Sequence, residues 1–310
     1  MRFLPILSLV AFTTIFPEFI VGRPLFTWLD PGVFIFLFIG YGLVILVLRE
    51  FAVRLKLGLR GLILWGVAYG IINEGLTAKT FLLVKDLPVN LYDGYGMVGG
   101  IAWPWAAAIS LWHAFAAVVF PILLIHTLFP KSRDEPWLGT KTVSILGVVL
   151  LLLLSFVFLH SDATVIGGTA GQLIVLLAII AALFILGTLF KGKLRYETPA
   201  STLKPLLYGL SVIIPFWVLA ISASQKLPVP LFFILYAGII VLYAWLLGRN
   251  SILTLPSFLL FGIGWYGHNA LQAFVILMTQ SPPLAIITAI LHGTALVLLF
   301  LRLRRLPSLA

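Results

Sequence analysis

Ten runs of about 20 apolar residues, each nearly empty of charge, leave this chain few ways to fold. They cover 3–22, 32–49, 61–83, 101–128, 142–160, 166–190, 203–224, 229–248, 253–278 and 283–301. A bilayer core about 30 Å thick takes roughly 20 residues of helix to cross. Backbone groups that meet hydrocarbon must find their hydrogen bonds within the segment, so the runs are expected to be helices. They lack the two-residue alternation of a membrane barrel. The fold class predicted is therefore all-α: a polytopic integral membrane helix bundle of about ten transmembrane helices, one domain over 1–310. Composition agrees, since charged residues make up 10% of the chain where a soluble domain carries about 25%.

The cations set the expected orientation. With the N-terminus inside, the inner segments hold Arg2, Arg49, Arg54, Lys56, Arg60, Lys131, Arg133, Lys141, Lys191, Lys193, Arg195, Lys204, Arg249, Arg302, Arg304 and Arg305. The outer segments hold Arg23, Lys79, Lys85 and Lys226. That bias places both termini in the cytoplasm of a multi-pass cell-membrane protein. It also accounts for the net charge of +10 without a nucleic-acid partner. Phe3–Phe16 lacks a small-residue cleavage site and runs into Pro17-Glu18, so it reads as the first span and not a leader. Arg49, Glu50 and Arg54 fall at an inner helix end and are expected to form a solvated charge cluster.

Spans 1–4 and 7–10 read as a parallel four-helix repeat, 1–129 and 203–305, joined by spans five and six (142–190). Gly66, Tyr69 and Asn73 in the third span meet Gly262, Trp265 and Asn269 in the ninth at the same spacing, and His113 in the fourth meets His292 in the tenth.

Ionisable groups at membrane depth cost roughly 2.5–3.5 kcal/mol on insertion scales and usually face the protein interior. Glu74 falls near the middle of the third span, His113 and His292 within the fourth and tenth, and His268 in the ninth; Asn73 and Asn269 join them. Glu18, after Pro17, belongs to the outer end of span one. Glutamate titrates near 4.3 and histidine near 6.5, so Glu74 with a neighbouring histidine is expected to form a proton-responsive or substrate-binding site. Trp103 and Trp105 suit an interfacial aromatic belt. Asp86 and Asp93, in the outer loop, and His160 and Asp162, in an outer turn, carry weaker signals.

What is missing narrows the chemistry. There is no cysteine, no phosphate-binding glycine loop and no HExxH, so no nucleotide, metal or other cofactor is indicated. "REFAVR" (49–54) lacks the leading glutamate of the EExxxR element of CAAX-type intramembrane proteases, and no match is drawn. The reading that leads is a small-solute transporter or permease. An intramembrane enzyme, with Glu74 as general acid or base on a lipid or isoprenoid substrate, is the alternative, and a non-catalytic scaffold or accessory subunit comes third. Membrane lipid and a small-molecule or lipid substrate are the expected partners.

Overall fold

The computed structural model describes residues 3–20, 30–80, 82, 94–160, 169–192, 203–211, 213–249, 257, 260–267, 270–271, 278 and 282–304. Helix α1 (Phe3–Ile20) is followed by α2 (Pro31–Leu37) and α3 (Val44–Arg54), which a π-helical turn at Phe38–Leu43 joins without a break. Helix α4 (Leu59–Ile71) runs into a second π-helical turn, Ile72–Thr77. A third, Ala114–Val119, joins α5 (Trp103–His113) to α6 (Phe120–Leu128). Then come α7 (Thr140–His160), α8 (Ala170–Leu189), α9 (Leu203–Leu210), α10 (Ile213–Ser224), α11 (Val229–Arg249), α12 (260–267) and α13 (Pro282–Arg304). Among the described residues four continuous helices are long and apolar enough to cross a membrane: Pro31–Arg54, Trp103–Leu128, Thr140–Leu159 and Ala170–Leu189. The chain is thus a helical bundle with membrane-length apolar helices. His268 and Asn269, with Asp86, Asp93 and Asp162, lie outside the described residues, as does the side chain of His160.

Local chemistry sets the helix ends. Asp30 caps α2, its Oδ1 accepting from the amides of Gly32 (2.8 Å) and Val33 (3.0 Å), and Pro31 fills the first turn, where no donor is needed. Thr169 and Gln172 form a reciprocal capping box at the start of α8. Two-residue strands β1 (Met97–Val98) and β2 (Ile101–Ala102) pair antiparallel ahead of α5, so the fourth helix starts two residues later than predicted. Gly99 and Gly100 make the tight turn between them with φ of 59° and 74°, the left-handed conformation that two-residue hairpins ask for. The side-chain amide of Gln172 donates to the Gly99 carbonyl (2.7 Å) and fastens this hairpin to α8.

The seventh predicted span is broken. A proline ring collides with the carbonyl four residues earlier, and for Pro215 that is Ser211, where α9 stops. The hydroxyl of Tyr243 in α11 donates to the Ser211 carbonyl (2.6 Å) and compensates for the break.

Helix α4 is the axis of the bundle, packed on α5, on the Ala114–Val119 turn and on α8. Its glycines set those distances. A β-carbon on Gly66 would lie 2.8 Å from Cα of Ala114, and one on Gly70 would lie 2.6 Å from Cα of Ser110. Gly70→Ala is therefore expected to cost about 1–3 kcal/mol as overpacking, read as a lower thermal unfolding midpoint in detergent. Gly293→Ala, with nothing among the described residues within 4 Å of the added carbon, is the matched control. Trp65 of α4 donates from Nε1 to the Phe184 carbonyl of α8 (3.0 Å). In Trp103–Leu128, 83% of the most apolar stretch is buried, against 11% in Thr140–Leu159. The continuous helix formed by α5 and α6 is therefore interior, while α7 presents its leucines outward.

The charge cluster at the end of α3 departs from expectation. Arg49 and Glu50 are both fully buried, not solvated. The Arg49 guanidinium donates to Glu50 Oε1 (2.7 Å), to the carbonyls of Glu135 (2.9 Å), Arg133 (2.8 Å) and Ser132 (3.2 Å), and from Nε to His126 Nε2 (3.0 Å). Glu50 also accepts from Arg54 (2.6 Å) and from the amides of Trp137 (2.8 Å) and Leu138 (3.1 Å). The Trp137 ring lies 3.5 Å under the guanidinium carbon. The reason is geometric: the 132–138 connection folds back over the helix end and offers carbonyls to the cation and amides to the carboxylate. A charge buried with every hydrogen-bonding position answered is tolerated where a bare one is not.

Candidate functional site

Asn73 and Glu74 sit in the Ile72–Thr77 π-helical turn, whose i→i+5 bond runs from the Ala78 amide to the Asn73 carbonyl (2.8 Å). Glu74 is thus in the closing turn of its helix and not at mid-length, because the helix stops at Thr77 while the apolar sequence continues. His113 is the last residue of α5 before the Ala114–Val119 π turn, and Tyr41 is inside the Phe38–Leu43 turn. Such turns widen a helix by one residue, and they recur at functional sites. Here three helices bring one each to the same place.

The side chains they carry form one connected set. His113 Nε2 stands 2.7 Å from Glu74 Oε1 and 3.3 Å from Asn73 Nδ2. The Asn73 amide also donates to the Tyr41 hydroxyl (3.3 Å), and Tyr41 donates to Glu18 Oε1 (3.0 Å). The other oxygen of Glu74 accepts from Thr80 (2.5 Å), whose own hydroxyl oxygen accepts from Trp105 Nε1 (3.0 Å). Two carboxylates from α1 and the end of α4 are thereby joined through an imidazole, an amide and a phenol.

The electrostatics turn on one nitrogen. Imidazole Nε2 has a single in-plane position for a proton or a lone pair. At 2.7 Å a proton must lie between it and Glu74, whichever atom owns it. Asn73, at the longer distance, is the second claimant for that position, and its amide also donates to the Tyr41 hydroxyl at 3.3 Å. The His113 ring is held by aromatic faces: Trp112 edge-on at 4.9 Å, Tyr41 stacked at 5.9 Å and Tyr69 edge-on at 6.1 Å. Tyr69 is fixed in turn by its hydroxyl bond to the Gly40 carbonyl (2.9 Å). His113 and Asn73 are buried, and the Glu74 side chain keeps 13% exposure. Among the described residues the buried His113 Nδ1 atom finds no hydrogen-bond partner.

That exposure opens on a cavity of about 590 Å³. Glu18, Tyr41, Asn73, Glu74, Thr80 and His113 supply its polar wall, and Phe36, Leu37, Trp105, Ile109 and Trp112 much of its apolar wall. A chamber of this size accommodates a small molecule. Among the described residues no group of three His, Cys, Asp or Glu is placed to hold a metal ion.

A family model described as "Uncharacterized membrane protein family" matches residues 7–309. The chain belongs to that family. No curated protein and no solved structure matches it. The family places the chain in a membrane, in keeping with its long apolar helices.

Of the residues singled out by sequence in this family member, Glu18, Asn73, Glu74 and His113 share the cavity. His292 belongs to another pair, its Nδ1 2.7 Å from the Tyr266 hydroxyl, and Tyr266 in turn packs edge-on against Phe16 of α1. Tyr41, Thr80 and Trp112 are among the wall residues that escaped the sequence reading. Tyr41 carried a signal, a phenol between Gly40 and Gly42 inside an apolar run. Thr80 and Trp112 carried none. Trp105, expected at the membrane interface, lines the cavity and braces Thr80.

Proposed function

We propose that the protein is a multi-pass permease of the cell membrane, with both termini cytoplasmic, that moves a small solute through a proton-responsive site at Glu74 and His113. The parallel repeat of 1–129 and 203–305 belongs to the same proposal. One observation carries the functional reading: a carboxyl and an imidazole stand 2.7 Å apart, within hydrogen-bond distance, on the wall of a cavity of about 590 Å³. A solute that engages Glu74 draws the carboxyl away from Nε2, and once that nitrogen has given up its proton the Asn73 amide, at 3.3 Å, can donate to it. Binding and proton position are then one equilibrium, which is what coupling requires.

The test is uptake in proteoliposomes against a pH gradient. Wild-type uptake is expected to follow pH, and Glu74→Gln, which keeps the shape but holds no exchangeable acid proton, is expected to lose that dependence. An unchanged pH profile in Glu74→Gln would remove this residue from the mechanism.

The second reading is an intramembrane enzyme, favoured by the same short contact, because a glutamate held against a histidine beside an apolar wall is also a general acid–base pair. Mass spectrometry of lipid retained by the purified protein separates the two. A lipid or isoprenoid modified at one bond, accumulating with wild type and not with Glu74→Gln, favours the enzyme.

A further inference from the structure

We infer that the cavity beside Glu74 takes a small organic cation, an alkylammonium group. This rests on the reading of that cavity as a solute site and adds the class of solute. Three observations lead to it. Glu18 and Glu74 both face the cavity, and among the described residues no lysine or arginine lines it. The polar donors are already engaged within the cluster: Asn73 donates to Tyr41, Tyr41 to Glu18, Thr80 to Glu74 and Trp105 to Thr80. What the wall presents inward is acceptor lone pairs, and an ionised carboxylate has about four such positions. An anion or a carbonyl would find few donors there. An ammonium N–H or an N-methyl group finds its complement.

The rings supply the second half of the recognition. Tyr41, Trp105 and Trp112 line the same space as the two carboxylates, and aromatic faces beside acidic groups attract cations, quaternary ammonium above all. A metal ion is the poorer fit, since among the described residues no three-ligand group exists. The cation could arrive free or as the headgroup of a lipid, and the chemistry of recognition is the same.

Equilibrium binding of benzyltrimethylammonium to the purified full chain in detergent tests this, with benzyl alcohol and benzoate as the neutral and anionic comparators. Saturable binding of the cation, not displaced by either comparator, is expected. Glu74→Gln and Glu18→Gln are each expected to lose about tenfold or more in affinity, and Asp134→Asn, at an exposed position, none. Should Glu74→Gln fail to fold, Glu18→Gln carries the test. Equal binding of the neutral or anionic compound, or unchanged affinity in the glutamine variants, overturns the inference. Cation binding without uptake in proteoliposomes leaves the inference standing and sinks the permease reading; pH-coupled uptake of neutral solutes without cation binding does the reverse. Repeating the measurement in nanodiscs of phosphatidylglycerol with and without phosphatidylcholine identifies the source, because a choline headgroup ligand would compete.

Discussion

Glu50→Gln is expected to destabilise the protein by about 3–5 kcal/mol, the usual cost of breaking a buried pair by removing one partner. Both oxygens of Glu50 are engaged: one takes Arg49 and the Trp137 amide, the other Arg54 and the Leu138 amide. Glutamine keeps one of those acceptors and turns an NH₂ group toward the donors at the other. It also leaves Arg49, with no exposure at all, without its counter-charge. Trp137 is the reporter, since its ring sits under the guanidinium and its fluorescence should change as the knot opens. Denaturant unfolding followed at tryptophan reads the loss. Arg49→Met with Glu50→Leu is expected to cost less than Glu50→Gln, because no fully buried charge is left unpaired and Arg54, which also loses Glu50, is partly exposed. Equal stability of Glu50→Gln and wild type would mean that the knot does not act as a unit.

His113→Asn is expected to reduce uptake about as much as Glu74→Gln does, and the double variant little further, because residues that act as one unit are not additive. The imidazole is the shared partner of Glu74 at 2.7 Å and Asn73 at 3.3 Å. Asparagine can offer a hydrogen bond to the carboxyl but holds no exchangeable proton between two sites, so the pH response should go with the rate. Uptake by the three variants, normalised to folded protein, gives the coupling term. Losses that multiply independently would place Glu74 and His113 in separate roles.

The sequence carried the architecture further than the site. Membrane-length helices such as Trp103–Leu128 announce themselves because hydrocarbon forbids bare backbone, a constraint that acts on every residue of a span. Glu74 and His113 stood out for the same reason, as charges where charge is costly. Their meeting across 39 positions did not, since nothing local says which helices are neighbours. Arg49 and Glu50 misled for a physical reason: at a helix end water is the default partner, and only the fold of 132–138 replaces it with backbone. The signal at Tyr41, a phenol between two glycines in an apolar run, named no partner until the fold brought its hydroxyl to a carboxylate. The π-helical turns leave no compositional trace at all.

Those three turns have a consequence for chain length. A π-helical turn is an α-helix carrying one surplus residue, and an α-helix advances about 100° per residue. Deleting one residue within Phe38–Leu43, Ile72–Thr77 or Ala114–Val119 would let that helix close up regularly and swing one of its two flanks by that angle around the axis. Either the cavity side chain or the packing face beyond it would then point elsewhere, with every amino-acid type still present. The site is therefore encoded in register as well as identity, and a relative that keeps Glu74 and His113 but has lost a surplus residue would keep the letters of the site without its geometry.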